Sequence, residues 1–120
     1  MAELSSGLVV GQRRLDQQQL EARVRRLAGG LAVLGVKAGD CIAILMRNDI
    51  PFIEAAYGAQ AAGAYAVPIN WHFKAEEIDY ILKDSGAKVL FGHADLLAPV
   101  VEALPAGLAV VAVDTPADVA

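Results

Sequence analysis

The sequence predicts an α/β fold of alternating β-α units around a mainly parallel sheet. Four short apolar blocks begin near residues 41, 65, 88 and 108, the spacing of roughly two dozen residues that a strand plus a crossover helix requires. Amphipathic stretches fill the intervals. Gly or Pro marks most junctions between the two patterns.

Leu8-Val9-Val10 and Arg14-Leu15 suggest a small hairpin turning at Gly11-Gln12. Asp16 followed by Gln19 has capping-pair spacing, and Leu20, Val24, Leu27, Leu31 and Leu34 then recur in steps of four and three. This predicts the first helix, ended by Gly35, with Val36 folding back over the last turn. Gly39-Asp40 turns the chain into Cys41–Met46, a continuous apolar run expected of a strand buried on both faces. Pro51 suits the first turn of a second helix reaching about Ala62 and stopped by Gly63. Asn48 or Asp49 is its expected cap. Tyr65–Ile69 is the second strand.

Ile78, Ile81 and Leu82 form the stripe of a third helix, with Glu76, Glu77 and Asp79 near its positive end and Gly86 as its stop. Lys88–Phe91 is the third strand, Ala94–Leu104 a further helix and Leu108–Val113 the final strand. The expected organisation is an N-terminal arm or small hairpin over residues 1–15, an α/β unit over 16–113 and a tail over 114–120.

The 120 residues allow one domain with a sizeable core and no more. At 56% hydrophobic and 20% charged, the chain is richer in apolar residues than an ordinary soluble domain. The apolar runs are too short to span a bilayer, so no membrane span is expected. Met1–Leu15 lacks a basic start followed by an apolar block, which predicts no secretory signal and a cytoplasmic location. The single cysteine, Cys41, is expected to pack in the core of a protein kept reduced.

A net charge of −4 argues against nucleic acid as a partner. Arg13, Arg14, Arg23, Arg25 and Arg26 form the sole basic cluster, expected as a solvated helix face supported by a Glu21–Arg25 pair. Neither G-x-G-x-x-G nor G-x-x-x-x-G-K-[ST] occurs, which removes two common nucleotide-binding routes. His72 and His93 stand 21 residues apart without companions at ligand spacing, so no metal site is predicted. Ser85 lies outside any nucleophile elbow and is read as part of a helix end.

Asn70-Trp71-His72-Phe73 follows the carboxyl end of the second strand, where ligands bind in open parallel sheets. The candidate site residues are Asn70, fixing the backbone, Trp71, offering a flat apolar face, and His72, a switchable donor or cation. The competing reading makes Trp71 and Phe73 core anchors and Asn70 a turn residue. Arg47-Asn48-Asp49, after the first strand, carries the same ambiguity, with helix capping as the simpler role.

Three blocks carry a family resemblance. Ala62-Gly63-Ala64-Tyr65-Ala66-Val67-Pro68-Ile69-Asn70 resembles the second core motif of the acyl-adenylate-forming ligases, and Asp84-Ser85-Gly86-Ala87-Lys88-Val89-Leu90 matches another common block. Arg14–Leu20 stands where that family has Leu-Thr-Tyr-x-Glu-Leu, with Asp16, Gln17 and Gln19 replacing Thr, Tyr and Glu. The chain from about Arg14 to Val113 therefore resembles the first subdomain of the large N-terminal domain of the acyl-CoA synthetase, luciferase and peptide-synthetase adenylation superfamily.

The resemblance implies an ATP-dependent acid-thiol ligase. A carboxylic acid attacks the α-phosphate of ATP to give an acyl-adenylate and pyrophosphate, and the thiol of coenzyme A then displaces AMP, with Mg2+ assisting. Pro68-Ile69-Asn70-Trp71-His72 is most similar to the fatty-acyl and aryl-CoA ligases, where an Arg near this point approaches the coenzyme A phosphates. His72 holds the matching position, which implies a weaker, pH-dependent contact. The family's phosphate loop, magnesium segment, hinge Asp and C-terminal Lys do not occur in the 120 residues. The piece alone is thus expected to be inactive, to bind no cofactor tightly and to self-associate through apolar surface normally covered. The alternatives are a non-catalytic interaction module built on the same scaffold, and a small flavodoxin-like or receiver-like protein. The latter is disfavoured because Leu45-Met46 and Val67-Pro68 supply no acidic cluster at the strand ends.

Overall fold

The computed structural model describes residues 8–10, 13–47 and 49–115. Strands β1 (Leu8–Val10) and β2 (Arg13–Leu15) pair antiparallel, Val9 opposite Arg14, as the hairpin reading requires. Gly11 and Gln12, the expected turn, lie outside the described residues, as do Asn48 and most of the expected tail.

Helix α1 (Gln17–Val33) starts with a full capping box. Gln19 N–H donates to Asp16 Oδ1 at 2.8 Å, and Asp16 N–H donates to Gln19 Oε1 at 2.9 Å. The helix ends as predicted, with Gly35 at φ 88° and Val36 N–H reaching back to Leu31 O at 3.0 Å. Two expectations on this helix need correction. Leu34 leaves the apolar stripe because it already caps the helix, and Val36 takes the core position instead. The Glu21–Arg25 pair gives way to Gln17 Nε2 donating to Glu21 Oε2 at 3.0 Å.

Strands β3 (Cys41–Leu45), β4 (Tyr65–Pro68), β5 (Val89–His93) and β6 (Ala109–Val113) form one fully parallel sheet in the order β4-β3-β5-β6. Pro68 is tolerated because β4 is an edge strand. Cys41, at the open start of β3, is only half-buried. The crossovers are α2 (Ile50–Ala61), α3 (Ala75–Ser85) and, before β6, a single α-turn α4 (Ala94–Leu97) that tightens into a 3-10 helix over Ala98–Ala103. The last differs from the regular helix expected there. Pro99 has no N–H to give and cannot sit inside an α-helix without breaking it.

Alternation along the strands builds two cores. Ile42, Ile44, Val89 and Phe91 face Leu31 of α1 and Ala55 and Ala59 of α2. Ala43, Leu45 and Leu90 face Ile78 and Leu82 of α3, together with Leu97 and Val100. Each wholly buried Leu, Ile or Val contributes about 1.5–3 kcal/mol of apolar transfer. Helices α1 and α2 come close because Gly58 has no side chain, since a Cβ there would lie 2.6 Å from Leu27 Cδ2. Beside β6, the last strand of the sheet among the described residues, Leu27, Met46, Phe91, Val111 and Val113 line an open groove of about 410 Å3 rimmed by Arg23 and Arg26.

The chain runs from β3 outward to β4, then crosses back over β3 to β5. The sheet therefore reverses direction between β3 and β5. At such a reversal the two crossover helices lie on opposite faces and the loops beyond the carboxyl ends part to leave a crevice.

Candidate functional site

The carboxyl ends of β3, β4, β5 and β6 bring together Arg47 and Asp49, Asn70–His72, His93 and Asp95, and Thr115. Five of these residues form a connected network centred on the reversal between β3 and β5.

His93, the last residue of β5, is wholly buried. Its Nδ1 accepts from the Arg47 backbone N–H at 3.2 Å, and its Nε2 lies 3.0 Å from Asp49 Oδ2. An acceptor at Nδ1 places the ring hydrogen on Nε2, which then donates to Asp49. The other carboxyl oxygen of Asp49 accepts from Ile50 N–H at 2.8 Å, so this side chain caps α2 and grips His93 at once. The capping role expected of Asp49 is present. The link to His93 gives it a second role that local sequence could not show.

The Arg47 side chain forks onto Asp95, Nη1 to Oδ1 at 3.0 Å and Nη2 to Oδ2 at 2.8 Å. Asp95 Oδ1 also accepts from Thr115 O–H at 2.7 Å, and Asp95 N–H donates to Thr115 Oγ1 at 3.3 Å. The hydrogen bond from Arg47, then that from Thr115, hold the Asp95 carboxyl down to about 2. The same guanidinium lies over the Trp71 ring, Cζ standing 4.9 Å from the ring centroid.

Of the predicted site residues, Asn70 makes the turn, accepting His72 N–H on Oδ1 at 2.9 Å and Phe73 N–H on its carbonyl at 3.0 Å. Trp71 and Phe73 are not core anchors, being 39% and 36% exposed. The His72 ring stacks on Trp71 with centroids 3.8 Å apart and planes at 29°, and it faces solvent. Trp71 and His72 thus present an aromatic surface beside a permanent cation. That combination suits a flat, anionic ligand such as a nucleotide. Among the described residues no group of three or more His, Cys, Asp or Glu side chains is placed to hold a metal ion.

His93, Asp95 and Thr115 were not among the predicted site residues, and Arg47 stood only in an ambiguous strand-end segment for which helix capping was the simpler role. The available signal was positional, because Arg47 and His93 each end an apolar run that becomes a parallel strand. The pairing of their two strands was not readable from spacing.

Away from this edge, Glu54 of α2 is buried against Arg23 of α1, the two forming an ion pair. Burial raises the Glu54 carboxyl, and Arg23 opposes that effect. At the opposite end of the sheet, Asp40 accepts Lys37 N–H at 2.7 Å and pairs with Lys88 at 3.1 Å, and both interactions hold its carboxyl low.

A doubly wound parallel sheet with a strand reversal defines a class of open α/β domain that binds ligands beyond the carboxyl ends of its strands. Residues 5–119 match the AMP-binding enzyme family, to which the chain belongs. The long-chain-fatty-acid–CoA ligase FadD13 of Mycobacterium tuberculosis is 43% identical over 93 residues, covering 78% of this chain and 18% of the ligase. The crystal structure of the N-terminal domain of FACL13 from the same organism superposes with a TM-score of 0.77 at 37% identity, over 84% of this chain and 27% of that one. A benzoate CoA ligase from Burkholderia xenovorans LB400 superposes with a TM-score of 0.84 at 27% identity, over 88% and 22%. The chain thus corresponds to part of the N-terminal domain of acyl-CoA synthetases and spans about a fifth of the length of curated ligases such as FadD13 and a feruloyl-CoA synthase. Among the described residues no helix is long and apolar enough to cross a membrane.

Proposed function

We propose that this chain supplies the first subdomain of an ATP-dependent acyl-CoA synthetase acting on a fatty or aryl carboxylic acid. The observation that carries the reading is the 43% identity to a long-chain-fatty-acid–CoA ligase across most of the chain. The likeness to a benzoate CoA ligase keeps aryl acids in the substrate class. In this reading Asn70, Trp71 and His72 belong to the surface that receives coenzyme A. Trp71 offers the apolar face and His72 a hydrogen bond or positive charge. ATP, Mg2+ and the acid are handled by other parts of such an enzyme, and the 120 residues by themselves are inactive and bind no cofactor tightly.

Expression of the chain with the in-frame continuation of its coding sequence, assayed by ATP–pyrophosphate exchange over a panel of fatty and aryl acids, tests the reading. Acid-dependent exchange supports it, and a folded product without exchange contradicts it.

The exposed apolar groove beside β6 and the open β4 edge, where Tyr65 is 66% exposed, favour self-association of the isolated chain. Light scattering over a dilution series is expected to show a mass that rises with concentration. A constant monomer mass contradicts that part of the reading. The second reading, a non-catalytic interaction module on the same scaffold, draws on this same uncovered surface and predicts no exchange with any acid.

A further inference from the structure

The geometry points to Arg47 as the positioning residue of the Asn70–Phe73 loop, locking the aromatic surface of Trp71 in place from the end of the neighbouring strand β3. The loop is pinned at its two ends, by Ile69 N–H on Ile44 O at 2.8 Å and by Lys74 N–H on Glu77 at 2.9 Å, which leaves the pose of the Trp71 side chain between them to be set. Its own hydrogen bonds run from His72 and Phe73 back to Asn70, which shape the turn without anchoring it to the sheet. Trp71 is neither buried nor hydrogen-bonded through its ring among the described residues. His72 of the same loop stacks on it, and the group that reaches it from outside the loop is the Arg47 guanidinium.

Arg47 is fixed in two places. Its backbone N–H is held by the buried His93 ring, which Asp49 orients. Its side chain is held by a two-pronged contact to Asp95, which Thr115 steadies from the end of β6. A guanidinium gripped at both terminal nitrogens is fixed in position, and its Cζ then stands 4.9 Å from the Trp71 ring centroid. The loop after β4 is therefore set by residues following β3, β5 and β6. The functional meaning of that pose rests on the coenzyme A reading above, whereas the lock stands on the contacts alone.

Trp71 is the sole tryptophan of the chain, so its fluorescence reports on the lock without a label. The test uses the full chain and its Arg47→Ala, Arg47→Lys and Asp95→Asn variants, each confirmed folded by far-ultraviolet circular dichroism. Emission maximum and quenching by acrylamide, a neutral quencher, are measured at low ionic strength. Arg47→Ala is expected to red-shift the emission and raise the quenching constant about twofold as the covering group is removed. Asp95→Asn should move both readouts the same way by less. Arg47→Lys keeps a charge but loses fork and plane, so it should resemble Arg47→Ala rather than the parent. Arg23→Ala, in a different ion pair, should leave both readouts unchanged.

Folded Arg47 variants with parental emission and quenching would overturn the inference. If Arg47→Ala does not fold, Asp95→Asn and Arg47→Lys decide it alone, and parental behaviour in both would overturn it. A failed acid-dependent exchange assay would remove the coenzyme A reading while leaving these fluorescence outcomes untouched, so the two failures are distinguishable.

Discussion

His93 Nε2 and Asp49 Oδ2 lie 3.0 Å apart with both side chains shut off from solvent, joining the end of β5 to the start of α2. Replacing His93 by Leu fills the space but removes one donor from buried Asp49 and takes the acceptor from the Arg47 N–H. The expected loss is about 3 kcal/mol, from two buried polar groups left poorly satisfied. Asp49→Asn keeps an oxygen for Ile50 N–H and should cost about 1 kcal/mol. Urea unfolding checks both. A His93→Leu variant within about 0.5 kcal/mol of the parent would show that the pair is dispensable, as expected only of ordinary surface sites.

Asp95 gives the network a defined acid limit. Its carboxyl is held at about 2, below its ordinary 3.8, so the folded state binds its proton less readily than the unfolded chain does. Stability from this group is therefore complete above its unfolded value and is lost as pH falls through the folded one. The stability gap between parent and Asp95→Asn should be constant above about pH 5 and close as pH falls toward 2, by chemical denaturation at several pH values. Because Asp95 is exposed, the gap should be small and shrink with added salt. A gap that ignores pH would contradict the assignment.

Glu54 predicts the opposite slope. Burial raises its carboxyl, so the stability linked to it is present below the unfolded value and lost as pH rises through the folded value. Arg23 limits that loss. Arg23→Ala should therefore cost about 1–2 kcal/mol at pH 7 and less at a lower pH, as Glu54 takes up a proton. Thermal melts at two such pH values check it, and an equal cost at both would contradict the account.

Local chemistry explains which parts of this architecture were legible in the sequence. The Asp16–Gln19 box, Pro51 in the first turn of α2, and Gly35, Gly63 and Gly86 in left-handed conformations all act within a few residues of themselves. Their elements could be placed from pattern alone. The 3-10 stretch at Ala98–Ala103 differed because one proline outweighed a periodic apolar pattern. The Asn70–His72 loop was findable because it follows a strand end. The network beneath it was not, since Arg47 meets Asp95 across 48 residues and Asp49 meets His93 across 44. Those contacts exist because β5 pairs with β3 rather than β4, and strand order leaves no trace in residue spacing.

The central claim is that this chain is a working first subdomain of an acyl-CoA synthetase whose Asn70–His72 loop meets coenzyme A. The most direct measurement replaces the matching segment of FadD13 by residues 16–113 and follows pyrophosphate exchange and thioester formation separately, with and without His72→Ala. The account predicts that the chimaera carries out both reactions on a long-chain acid. It also predicts that His72→Ala leaves exchange unchanged while raising the KM for coenzyme A about three- to tenfold, the loss of one hydrogen bond or weak ionic contact. A folded chimaera without exchange, or one in which His72→Ala leaves the KM for coenzyme A unchanged, would contradict it.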